Sequence, residues 1–237
     1  MTYTSSNYQQ YSSKGQKIMH KLKEDRRSFL IRSSMAALAF PFLIGCKSDT
    51  LAQKSETDIL SLIRKNAQPR GAEGMGAIDA PNDVTWKAVL ATEKDEGEAM
   101  IISGTVFQPN GNTPAPNILI YLYHTDMYGI YGRKGEHKHG KFRGWMLTDE
   151  SGRYEFRSIR PASYPNTTFA AHIHMTNTGV DRKEDWIDAI LFEGDKFISP
   201  REREMAGKKG GFQPILKLEK GADGILRGVR DIQLPQV

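Results

Sequence analysis

The chain has 237 residues, of which 38% are hydrophobic, 9% aromatic and 26% charged, enough apolar material to bury a real core and too much for a disordered tail. Its net charge of +5 sits at the N-terminus: residues 1–45 hold seven of the 33 basic residues against two of the 28 acidic ones, so the remainder carries 26 of each. A neutral body gives no reason to expect a nucleic-acid surface, and the single cysteine, Cys46, excludes an internal disulfide framework and a cysteine-based zinc site, leaving nitrogen and oxygen donors for any metal.

The first element is a leader. Asp25-Arg26-Arg27-Ser28-Phe29-Leu30 joins paired arginines to a hydrophobic pair, residues 35–44 are mostly apolar, and Leu43-Ile44-Gly45-Cys46 closes the segment. A basic region, a short apolar core and a small residue in this order read as an export signal over residues 1–45. The apolar core falls well short of the roughly 20 residues that span a bilayer. The arginine pair resembles a bacterial twin-arginine signal, and Leu-Ile-Gly-Cys resembles a lipoprotein processing box with Cys46 as the lipid-bearing residue. Together they imply export in the folded state and anchoring to a membrane, in the periplasm or at the cell surface; Met19 is an alternative start.

Residues 46–80 read as a tether, a short helix and a loop. Residues 47–54 are polar, Ile59, Leu60, Leu62 and Ile63 have helical spacing with Ser55 or Thr57 as a cap, and residues 71–81 turn to Gly, Ala and Pro. Over 81–237 the pattern alternates with period two, predicting strands over 101–107, 117–124, 153–159, 169–176 and 187–192, with turns such as Asp149-Glu150-Ser151-Gly152 between them. The expected fold class is all-β, a sandwich with long loops.

Chemistry concentrates in the middle of that domain. Ala171-His172-Ile173-His174-Met175 places two imidazoles at i and i+2 of a strand, where both leave one face and can reach one ion. By itself such a pair is equally well two solvated histidines. Two tyrosines strengthen the metal reading: Tyr164, in the proline-pinned run Arg160-Pro161-Ala162-Ser163-Tyr164-Pro165, and Tyr131, which closes Asp126-Met127-Tyr128-Gly129-Ile130-Tyr131. A phenol with a pKa of about 10 becomes an anionic ligand at neutral pH only beside a hard, strong Lewis acid, for which ferric iron is the natural candidate.

These residues carry a resemblance. Tyr123-His-Thr-Asp with Gly129-Ile-Tyr131, Gly144-Trp with Thr148-Asp-Glu-Ser-Gly-Arg-Tyr-Glu-Phe156, Arg160-Pro-Ala-Ser-Tyr164-Pro, and His172-Ile-His174 resemble, in order and spacing, the intradiol ring-cleavage dioxygenases (catechol and protocatechuate 3,4-dioxygenase-like). The resemblance implies a β-sandwich holding non-haem Fe(III) on Tyr131, Tyr164, His172 and His174. It implies an oxidoreductase of aromatic catabolism whose partners are an aromatic diol and O2, with Tyr164 leaving the metal to take a diol proton. Where the family has an arginine three residues before the first histidine, this chain has Phe169, and where it has a glutamine on the following strand, Ala189. Those two departures keep open a non-catalytic alternative, a surface-tethered sandwich binding a phenolic, glycan or protein partner.

Other residues have plainer readings. His137-Lys138-His139 is expected to be a solvated basic loop. His124 and Asp126 read as structural hydrogen-bonding residues. Tyr128 competes with Tyr131 but lacks the Gly-x-Tyr spacing, and Trp86, Trp145 and Trp186 read as core or rim.

Overall fold

The computed structural model describes residues 59–132 and 137–237. The leader, Cys46, the expected caps Ser55 and Thr57, and Arg133 lie outside the described residues. Among the described residues, eleven strands form two sheets: β1 (Lys87–Val89), β2 (Ala99–Phe107), β3 (Leu119–His124), β4 (Arg143–Leu147), β5 (Arg153–Ile159), β6 (His172–Thr178), β7 (Asp185–Phe192), β8 (Ile215–Leu216), β9 (Glu219–Lys220), β10 (Leu226–Val229) and β11 (Ile232–Gln233). One sheet runs β1-β5-β2-β10-β9 with β11 also on β2, and the other β4-β3-β6-β7-β8. The all-β sandwich expected from the sequence is the fold observed.

The alternation that predicts the strands also builds the core. In β2, Met100, Ile102 and Val106 face inward and are fully buried while their neighbours are half-buried; they meet Tyr154 and Phe156 of β5 and, from the other sheet, Ile120, Leu122, Met146, Ile173, Met175, Ile187 and Ile190. Strand β3 is buried along its whole length because its outer face is covered too. Leu119 packs there with Leu60 and Ile63 of α1 (59–64) and with Ala77 and Ala80.

That cover is held by one carboxylate. Glu184, almost fully buried, accepts hydrogen bonds from the backbone N–H groups of Gly76 (2.8 Å), Ala77 (3.0 Å) and Gln68 (3.0 Å) and from the Thr176 hydroxyl (3.1 Å). Trp145 of β4 adds its indole N–H to the Gly76 carbonyl at 2.8 Å. Glu184→Ala leaves those buried donors without an acceptor and is expected to destabilise the fold by about 2–4 kcal/mol; denaturant unfolding checks this, and a loss near zero contradicts it.

Register positions the site. Between β6 and β7 the pairing is Ile173 with Ile190 but Met175 with Ile187, so a bulge puts both Asp188 and Ala189 opposite His174. Strand β4 and the short helix α2 (Pro200–Met205) are not expected from the alternation. The helix is started by Ser199, whose hydroxyl accepts from the Glu202 N–H at 3.2 Å while Glu202 accepts from the Ser199 N–H at 2.7 Å.

Candidate metal centre

Four candidate ligands converge on the outer face of the second sheet. His172 and His174 project from the half-buried positions of β6, with their Nε2 atoms 3.0 Å apart. Tyr164 reaches them from the loop after β5, its hydroxyl oxygen 3.1 Å from His172 Nε2 and 3.4 Å from His174 Nε2. Tyr131 completes the group with its hydroxyl 2.6 Å from that of Tyr164.

Local chemistry shapes the two tyrosine loops. The Asp126 carboxylate accepts from the N–H groups of Tyr128 (2.8 Å) and Ile130 (2.9 Å), closing a turn that Gly129 completes at φ +80°. A Cβ at Gly129 would lie 2.0 Å from the Ser163 carbonyl oxygen, so the close approach of the Tyr131 and Tyr164 loops needs glycine there. Tyr128 points away, 60% exposed, with its hydroxyl donating to Glu96 at 3.0 Å.

The donor set suits a hard, highly charged cation. His172 donates from Nδ1 to the Ala170 carbonyl at 2.7 Å, which fixes the lone pair on Nε2. Burial, then the neighbouring His172 and His139, pulls the His174 pKa down to about 3, so that ring is neutral. Burial, then its hydrogen bond to Tyr164, holds the Tyr131 phenol far above its ordinary value, so only a strong local positive charge would ionise it. First-row metal bonds of about 2 Å place adjacent donors roughly 3 Å apart, the spacing found here. No group of three or more His, Cys, Asp or Glu side chains able to hold a metal occurs among the described residues, so a site in this region depends on its phenols.

Aromatic rings surround the cluster. Tyr123 stacks on His174 (ring centroids 4.7 Å apart, 26° between planes) and, on its other face, on His139 (4.0 Å, 9°). Trp186 meets the His174 ring edge-on at 5.4 Å. This corrects the reading of residues 137–139 as a solvated loop: His137 and Lys138 are exposed, but His139 is only 5% exposed and its Nδ1 lies 2.6 Å from the Tyr121 hydroxyl. Burial first, then the cations Lys138 and Arg143 and the neighbouring His137, brings His139 to a pKa of about 4. His124 is structural as expected, buried with Nδ1 donating to the Thr125 carbonyl and Nε2 meeting the Ser158 hydroxyl, each at 2.7 Å. Its pKa is lowered by burial to about 4.

Two cavities open on the cluster. One, of about 410 Å³, has Tyr164, His172 and His174 at its floor and Phe169, Leu191, Met205, Ala206 and Pro214 as apolar wall; its other ionisable lining residues are the carboxylates Asp188 and Glu202. Phe169 is 61% exposed at its mouth, edge-on to Tyr164. The other, of about 500 Å³, reaches Tyr131, Tyr164 and His174 past Glu73, Lys138, His139 and Trp186. No described arginine stands in for the position held by Phe169: Arg160 faces Glu98 at 4.0 Å and lies over the Phe192 ring, and Arg143 donates to the Gly140 carbonyl from a separate cavity.

A family model described as Dioxygenase matches residues 77–212, and catechol 1,2-dioxygenase of Acinetobacter baylyi is 30% identical over 118 residues. The chain belongs to the intradiol dioxygenase family. The protocatechuate 3,4-dioxygenase beta chain of Burkholderia cepacia is 29% identical over 140 residues. These alignments cover 48% and 54% of this chain, and 38% and 58% of the two relatives' lengths. Among solved structures, catechol 1,2-dioxygenase from Acinetobacter sp. ADP1 shares the fold with a TM-score of 0.55 at 18% identity, over 100% of this chain and 88% of that one. The 3-chlorocatechol 1,2-dioxygenase from Rhodococcus opacus 1CP does so with a TM-score of 0.53 at 15% identity, over 95% and 100%. Within this intradiol family, two features of the present site are not legible in its motifs: the buried ring of His139, and the bulge that puts Asp188 beside Ala189.

Proposed function

We propose that this family member is a non-haem Fe(III) dioxygenase that opens a catechol or a larger aromatic diol between its two hydroxylated carbons. The reading is carried by the convergence of two phenol oxygens and two imidazole nitrogens, each within 2.6–3.4 Å of another, three of whose four residues, Tyr164, His172 and His174, line an apolar cavity. Held by Tyr131, Tyr164, His172 and His174, ferric iron would supply a hard Lewis acid that favours the ionised diol and opens its ring to O2.

The residues divide the remaining work. Tyr164 is the donor whose oxygen touches all three others, and it borders both cavities; its phenolate oxygen is the base placed to take a diol proton. Tyr131 lies beyond it, and His172 and His174 are fixed by their strand, so these three serve as the anchor. The overall reaction balances without another reductant: the carbon–carbon bond breaks, each hydroxylated carbon is oxidised to a carboxyl, and both atoms of O2 are reduced and incorporated. Oxygen uptake matched one-to-one by a ring-opened diacid is the expected result for iron-loaded protein. No uptake with any diol would contradict this reading and favour the binding-module alternative.

The leader extends the proposal to location. Residues 1–45 would act as a twin-arginine lipoprotein signal, supported by the order of Arg26-Arg27, the apolar core and Cys46, with the domain anchored at a membrane surface. Among the described residues no helix is long and apolar enough to cross a membrane. An acyl chain contributes about 0.8 kcal/mol per buried methylene, so Cys46→Ala should move the protein from the membrane fraction to the soluble or unprocessed pool. Unchanged fractionation contradicts this.

A further inference from the structure

We propose that His139 is a positioning residue for the iron site, setting the ring of His174 through a three-ring stack, His139 on Tyr123 on His174. The inference rests on the reading of His174 as an iron ligand.

The two histidines of the pair are oriented by different means. The second torsion of a histidine ring is broad, so a ligating nitrogen needs a further contact to aim it, most often a hydrogen bond from the other ring nitrogen. His172 has that bond, to the Ala170 carbonyl at 2.7 Å. Among the described residues, His174 Nδ1 has no hydrogen-bond partner; its ring packs instead on the face of Tyr123 at 4.7 Å and at a steep angle to Trp186 at 5.4 Å.

Tyr123 can grip only if its own plane is held. Its far face is covered by His139 at 4.0 Å with the rings 9° from parallel. His139 is itself buried, its ring packing on that of Tyr121 with centroids 5.7 Å apart, and Tyr121 packs on Trp145 at 5.2 Å. The chain of contacts therefore runs from the rigid outer face of β3 and β4 to a candidate ligand on β6. Its base is anchored beside a second ligand: Gly140, at φ +70°, approaches so closely that a Cβ would lie 1.7 Å from the Tyr131 carbonyl oxygen. A turn that looks like a solvated basic loop in sequence thus touches the framework of two of the four donors.

The test compares wild type with His139→Ala, which removes the ring, and His139→Phe, which keeps a stacking ring without its nitrogens. In iron-free protein, the His174 ring protons should be shifted upfield by the Tyr123 face in wild type and His139→Phe, and should lose that shift in His139→Ala. Ferric affinity, measured on the iron-free proteins against a competing chelator, should fall about tenfold to hundredfold in His139→Ala, with an altered visible band, and stay within a few-fold of wild type in His139→Phe. An unaltered His174 environment and affinity in His139→Ala overturns the proposal. So does a His139→Phe protein as impaired as His139→Ala, since His139 would then act through a nitrogen. If His139→Ala does not fold, His139→Phe decides alone: retained shift and affinity support the stack, and their loss overturns it. A wild type that binds no ferric iron while showing the stacked NMR signature contradicts the iron reading and leaves the ring contact standing as a structural one.

Discussion

Replacing His174 with alanine should strip the protein of most of its iron, whereas Tyr164→Phe should keep metal and change its colour. The difference follows from what each donor does. His174 is a neutral imidazole on a strand, and its removal takes away an anchor whose loss should exceed the roughly 10–100-fold that outer-sphere partners are worth. Tyr164 sits on a loop, touches the other three donors through one oxygen, and is the ligand proposed to leave during turnover. Metal content and the visible spectrum of the purified variants provide the check. Full iron retention by His174→Ala would contradict the ligand set, and a Tyr164→Phe spectrum identical to wild type would contradict the role given to Tyr164.

The second large effect concerns the substrate. Phe169 occupies the cavity mouth where the family pattern has an arginine, Ala189 stands where it has a glutamine, with Asp188 beside it opposite His174, and the lining of this cavity offers carboxylates but no lysine or arginine. An anionic catechol carboxylate finds no partner on this wall and faces like charge. A neutral diol with an added apolar group gains contact with Phe169, Leu191 and Met205, on the order of 1–3 kcal/mol, which is a preference of about ten- to hundredfold. Extended catechols should therefore outperform protocatechuate in oxygen-uptake assays, and Phe169→Arg should narrow the gap. Protocatechuate as the best substrate of the unaltered protein would contradict the argument.

What could be read from the sequence depended on whether a signal was local. The strand over 153–159 coincides with β5, and β2 is found within two residues of its expected limits, because half-buried strands repeat every second residue; β3 is found as closely, although it is buried along its whole length. The i, i+2 histidine geometry follows from the same periodicity. Strand β4 escaped because Arg143-Gly144-Trp145-Met146-Leu147 has a glycine inside and an arginine at its start, and α2 because six residues are too short for an apolar period, although a capping box and an N-terminal proline mark its start. The buried His139 was hidden by its neighbours: Lys138 and Lys141 are exposed and give the segment a solvated composition, while the partners that bury it, Tyr121 and Tyr123, lie on another strand. The docking of residues 59–80 is equally non-local, since it depends on Glu184, more than 100 residues from Gly76 and Ala77. The bulge opposite His174 has no sequence marker of its own, since neither Asp188 nor Ala189 is a glycine or proline.

Tyr131, Tyr164, His172 and His174 are proposed to hold one ferric ion that a diol can reach. The most direct test is the visible spectrum of the ferric-loaded full chain before and after adding catechol without oxygen. A burgundy tyrosinate-to-iron band at about one iron per chain, shifting when the diol is added, is the expected result. A colourless protein that takes up no ferric iron, or a band indifferent to saturating diol, would contradict it.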